Sequence, residues 1–97
     1  MATAQGAATR ACRPIVNPYP GTRYEVVELR GIRATRVSCK TARKVVRGAR
    51  RKALGLPLPP SGVRHFTWHG WHVSGDLRPA SDRYIARRGA QLVRWRF

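Results

Sequence analysis

Three histidines, His65, His69 and His72, lie close enough in the chain to raise the question of a metal site, since neutral imidazole is a common zinc ligand. On a helix they would fall at i, i+4 and i+7, along one face. Their neighbours Phe66, Thr67, Trp68, Gly70 and Trp71 argue for a strand instead. There His65 and His69 share a face and His72 points away. No carboxylate stands near them in sequence, so neither a metal site nor a cofactor is expected. Hydrolytic chemistry is equally thinly supplied. The acids are Glu25, Glu28, Asp76 and Asp82, and Glu25 and Glu28 fall on opposite faces of a regular strand. Ser61, Ser74 and Ser81 occupy loop-like stretches with no nucleophile elbow or triad pattern. The expectation is a binding or structural module, not an enzyme.

Cys12 and Cys39 are the only cysteines. Joined, they would close a loop worth roughly 3–4 kcal/mol through the entropy of the unfolded chain. Unjoined, Cys39 would sit at a helix N-terminus beside Lys40, surroundings that lower a thiol pKa. Spacing alone leaves three states open: a disulfide, two free thiols in a reducing compartment, and a reactive thiol.

The remaining chemical signal is charge. Twenty Lys and Arg stand against four Asp and Glu, a formal net charge of +16 in 97 residues. Such a field concentrates polyanions around the molecule: nucleic acid, acidic lipid, teichoic or uronic acid polymers. Lys40, Lys44 and Lys52 are the only lysines, and a GC-rich coding sequence would produce the same arginine excess without selection for binding. Arginine pairs bidentately with phosphate, and Trp68, Trp71 and Trp95 could stack on single-stranded bases. Three tryptophans in a chain this small are more simply read as core, however, and no nucleic-acid-binding motif is present.

The elements that would position these residues begin with a helix at Ser38–Leu54. Ser38 is a suitable N-cap. Cys39, Ala42, Val45, Val46, Ala49, Ala53 and Leu54 recur at intervals of three and four to form an apolar stripe. Lys40, Arg43, Lys44, Arg47, Arg50, Arg51 and Lys52 cover the rest of the surface, and the first six are the candidate polyanion contacts. Gly48 costs about 1 kcal/mol relative to alanine and marks a close contact. Gly55 and Pro57 stop the helix. Ahead of it, Cys12–Pro20 reads as extended and turn-rich, Pro20-Gly21 as a turn, and Tyr24–Ile32 as the first strand, with Gly31 allowing a bulge or an exit. After the proline-rich connector Leu56–Gly62, Val63–Val73 is β-like, with Phe66 and Trp68 on one face and Trp71 and Val73 on the other. Ser74–Arg83 reads as a loop. Tyr84–Ala86 and Leu92–Phe97 form a hairpin around Arg87-Arg88-Gly89-Ala90, with Val93, Trp95 and Phe97 facing in and Arg94 and Arg96 facing out.

The order of these features resembles small secreted actinobacterial proteins of unassigned function. Their pattern is an early Cys, a strand, V-S-C-x-x-A opening a basic helix, a G-W-x-C segment, then C-x-R-G and a terminal V-x-F strand. The matching residues are Cys12, Val37-Ser38-Cys39-Lys40-Thr41-Ala42, Gly70-Trp71-His72, Arg88-Gly89 and Val93-Arg94-Trp95. Where that pattern has its third and fourth Cys, this chain has Val73 and a residue near Tyr84 or Ile85. The resemblance implies that Cys12 and Cys39 form the surviving bridge, and with it an extracytoplasmic site. It implies no activity.

The expected fold is therefore α+β: a three- to four-stranded antiparallel sheet with one amphipathic helix packed on one face. Residues 1–11 are expected to be a disordered leader, and 12–97 a single small basic domain. No stretch is long enough to span a membrane. The expected partner is a polyanion or an acidic protein outside the cytoplasm, and the alternative is an intracellular nucleic-acid-binding protein.

Overall fold

The computed structural model describes residues 9–16, 19–22, 28–57, 59, 61–77 and 82–96. Its one helix in that range, α1 (Cys39–Leu54), starts as local chemistry dictates. Ser38 stays extended (φ −71°, ψ 155°), and its hydroxyl accepts from the Thr41 amide at 3.1 Å. At the far end the backbone tightens: Gly55 N–H donates to Lys52 O at 3.0 Å and Leu56 N–H to Ala53 O at 3.1 Å. Gly55 is right-handed (φ −90°), so the helix stops through i→i−3 bonds and not through a left-handed glycine. Ala42, Val45, Val46, Ala49 and Ala53 are buried as one stripe.

That stripe rests on an antiparallel sheet larger than expected, with seven strands among the described residues in place of three or four. Two origins account for the excess. The first is the N-terminal arm. β1 (Thr9–Ala11) and β2 (Ile15–Val16) both pair with β3 (Glu28–Thr35) in one unbroken register, Thr9 opposite Thr35 and Ile15 opposite Leu29. They are two pieces of one edge strand. Cys12 N–H still reaches Ile32 O at 2.8 Å between them, and Pro14 has no amide to continue the ladder. Thr9–Ala11 therefore belong to the sheet and not to a leader. Residues 1–8, like the expected strand start at Tyr24–Val27 and the terminal Phe97, lie outside the described residues.

The second origin is a turn. The segment read as one strand is a hairpin, β4 (Val63–Trp68) and β5 (Trp71–Asp76), folded at His69-Gly70 with φ of 46° and 82°. Two successive positive φ values match the twist of the flanking strands. The fold changes which residues share a face. Trp68 lies opposite Trp71 and Phe66 opposite Val73, and directly opposed residues point the same way. All four therefore face the helix, not two and two. β5 also runs through Gly75 and Asp76, which read as loop. β6 (Arg83–Arg88) and β7 (Gln91–Arg96) complete the meander, and β7 returns to pair with β3. The order across the sheet is β1/β2, β3, β7, β6, β5, β4.

Two glycines let aromatic rings close the core. Gly48 abuts the Trp68 indole, and a Cβ there would overlap the ring. Gly75 lies under the Tyr84 ring on the next strand, which in turn stacks on Trp95 with centroids 5.3 Å apart. The bulge expected at Gly31 is present: the β3–β7 register shifts between Arg30 and Arg33, and Gly31 has φ 65°. Pro20-Gly21 forms the expected turn, with Thr22 N–H donating to Tyr19 O at 3.3 Å and Gly21 at φ 80°. Cys12 and Cys39 form a disulfide, their Cα atoms 5.5 Å apart. It ties the edge strand to the first turn of α1.

Candidate polyanion-binding surfaces

The helix cations divide into groups with different tasks. At 100° per residue, Lys40, Lys44, Arg47 and Arg51 fall within an arc of about 60°, and the centre of the buried stripe lies roughly 180° away. All four are exposed and point directly away from the sheet. Arg51 lies over the Tyr19 ring, 5.5 Å from its centroid. Arg43 leans aside instead. Its Nε donates to Arg13 O at 3.2 Å and its Nη2 to Pro14 O at 3.4 Å, so it pins the interrupted part of the edge strand where the ladder lacks a donor.

Arg50 does not belong to the surface at all. It is 5% exposed, drawn inward by partners on the sheet side. Its Nη1 donates to Tyr84 Oη at 2.8 Å and lies 3.4 Å from Asp82 Oδ2. This removes it from the expected contact set. Arg64, inward-facing on β4, is likewise buried, and its Nη1 donates to Ala53 O at 2.5 Å, one of the last carbonyls of α1. Lys52 Nζ donates to Thr67 O at 2.5 Å, covering part of the free edge of β4.

Composition did not reveal the second basic surface, which is the face of the sheet turned away from α1. Arg30 lies opposite Arg96, and Arg96 opposite Arg83, a row of three across β3, β7 and β6. Arg33 lies opposite Arg94 in the next row, and Arg87 stands on the same face of β6. All six are exposed. Among the described residues, none of the six has a hydrogen-bond or ion-pair partner for its side chain. The bulge bends the strand here and leaves Gly31 without a side chain where Arg96 crosses it; a Cβ would meet Arg96 Nε at 2.9 Å. The result is a groove of about 540 Å³ floored by Gly31 and Ile85 and rimmed by Arg33, Arg83, Arg94 and Arg96. The alternation Arg94-Trp95-Arg96 showed two of these residues facing outward. Only the strand order shows that four more stand beside them.

The other candidate groups disperse. His65 and His72 lie on the outer face of the β4–β5 hairpin, and His69 is in its turn. The shared face is thus His65 with His72, not His65 with His69. No three metal-ligating side chains cluster among the described residues. Asp82 is engaged by Arg50, and both cysteines are in the disulfide, so no reactive thiol is present. The tryptophans read as possible stacking surfaces face the helix side, with Trp71 and Trp95 buried. Two phenols are perturbed. Burial pushes Tyr19 up to about 12, against opposition from Arg50, Arg51 and Arg47. Burial likewise raises Tyr84, opposed chiefly by Arg50. Tyr19 Oη donates to Arg47 O at 2.8 Å, which favours the protonated phenol.

No helix among the described residues is long and apolar enough to cross a membrane. Comparison with protein-family models, curated proteins and solved structures finds no match to this chain.

Proposed function

We propose that this is a small secreted or envelope-associated binding domain that grips a linear phosphate polymer with the outer face of its sheet. The observation that carries this reading is the arginine row Arg30–Arg96–Arg83, flanked by Arg33–Arg94. Like charges directly opposed across strands are destabilising, by a few tenths to about 1 kcal/mol per pair. A carboxylate in the sheet would relieve them, but the row has one only at its end, Asp76 opposite Arg83, and among the described residues it forms no ion pair with any of the six. A polyanion laid over the face would do the same from outside. Guanidinium forks suit phosphate oxygens, which they can bind bidentately. The six arginines outnumber the larger outward apolar side chains Val16, Val63, Ile85 and Leu92, which favours a polymer over an acidic protein. Among the described residues no Trp, Tyr or Phe points outward from the face, which argues against base stacking.

The disulfide supports an oxidising location. So does the resemblance to small secreted proteins.

Titrating a labelled polyphosphate chain across a salt series tests the reading. The expected result is log K falling linearly with log salt, with the slope reduced by about one for each of Arg33→Gln, Arg94→Gln and Arg96→Gln. Absence of binding at low salt overturns the proposal, and an unchanged slope moves the site off the sheet. Preferential, sequence-dependent binding of DNA would instead favour the intracellular nucleic-acid reading.

A further inference from the structure

The polymer-binding reading concerns one face, yet the molecule carries two. We propose that the domain is bivalent, holding one phosphate polymer on the outer sheet face and a second along the helix, and so links two chains. This rests on the reading of the sheet face given above and extends it.

The second site is the line Lys40, Lys44, Arg47 and Arg51, at i, i+4, i+7 and i+11. At 1.5 Å per residue it runs for about 16 Å along the helix. Like charges at these spacings oppose helix formation by a few tenths of a kcal/mol per pair. As on the sheet, none of the four is paired with a carboxylate among the described residues. The first turn of α1 contains no acid to offset them.

The two sites are opposed because α1 lies on the sheet. The buried stripe fixes the helix so that its cations point away from the sheet, while the outward arginines of β3, β6 and β7 point away from the helix. Helix and sheet layers are separated by roughly 10 Å, and each set of cations projects further outward. The sites thus stand roughly 20 Å apart, about two Debye lengths at physiological salt. A chain on one face therefore only weakly affects the field on the other. The cations flanking the stripe are turned to other work, Arg43 to the edge strand and Lys52 to Thr67 O.

The experiment uses the whole chain, shown to be monomeric by sedimentation, and polyphosphate chains too short to wrap round it. Immobilised chains capture the protein, and a fluorescent chain is then added. The wild type should retain the second chain and bind two chains per domain in solution. The sheet variant R33Q/R94Q/R96Q and the helix variant K44Q/R47Q/R51Q should each still be captured, bind one chain per domain, and lose at least about tenfold of the retained fluorescence. One chain per wild-type domain, or full bridging by either variant, overturns bivalency while leaving the sheet site standing. No capture in the first step is instead the failure of the polymer-binding reading.

Discussion

Arg50 on α1 and Tyr84 on β6 are joined by a hydrogen bond of 2.8 Å in which the guanidinium donates to the phenolic oxygen. The guanidinium also lies over the same ring, 5.5 Å from its centroid, and Asp82 balances its charge. A cation that the helical pattern assigns to the surface thus locks the helix to the sheet. Arg50→Ala should destabilise the fold by about 2–4 kcal/mol, because it strips a buried acceptor and a partly buried carboxylate of their partner. Tyr84→Phe should cost about 1–2 kcal/mol. Urea denaturation of both variants and the double mutant measures the coupling, and additive effects would dissolve the link.

Gly48 should be intolerant of alanine. On an open helix surface, Gly→Ala stabilises by about 1 kcal/mol. Here the added methyl overlaps the Trp68 indole, and the expected result is a loss of about 1–3 kcal/mol. Calorimetry would show a lower melting temperature, partly restored in the double variant with Trp68→Val. A more stable single variant would contradict the packing.

Reduction of Cys12–Cys39 should remove roughly 3–4 kcal/mol from the stability of the domain. Thermal unfolding with and without reductant measures this. Intact mass after alkylation of natively isolated protein should show no modification, and two modified thiols would count against an extracytoplasmic site.

The outward arginines should oppose stability in the absence of a polymer. Arg94→Thr, which removes the cation opposite Arg33, should raise stability at low salt by a few tenths to about 1 kcal/mol. The gain should shrink as salt screens the pair. A melting temperature that falls at every salt concentration would show that Arg94 has a structural partner.

Alkaline unfolding should report the two buried phenols. Tyr19 ionises near 12 in the folded protein against 10.0 when free, so the unfolded chain loses its proton first. The contribution, on the order of 2 kcal/mol, is fully present below pH 10 and is lost as pH rises through 12. Tyr84 shifts the same way. Denaturation midpoints falling over that window, with Tyr19→Phe flattening the fall, are the expected outcome. A titration of tyrosinate absorbance with every phenol near its ordinary value would refute it.

The helix was legible in the sequence because everything that makes it is local: the Ser38 cap, the apolar recurrence and the stop at Gly55. Gly31 and the terminal alternation Val93-Arg94-Trp95-Arg96 were legible for the same reason, as properties of a few adjacent residues. The pairing of Cys12 with Cys39 needed a resemblance to select it, since spacing did not exclude free thiols. What tertiary structure alone decided is the sheet. His69-Gly70 is not the usual signal for a two-residue turn, and without that turn the pattern puts Trp71, His72 and Val73 on the wrong faces, because side-chain direction alternates along a strand. The arginine row joins residues 30, 83 and 96, whose adjacency comes from strand pairing and has no local mark. Arg50 went inward for a related reason: its partners, Asp82 and Tyr84, stand more than thirty residues away, and periodicity within the helix carries no information about what waits across it.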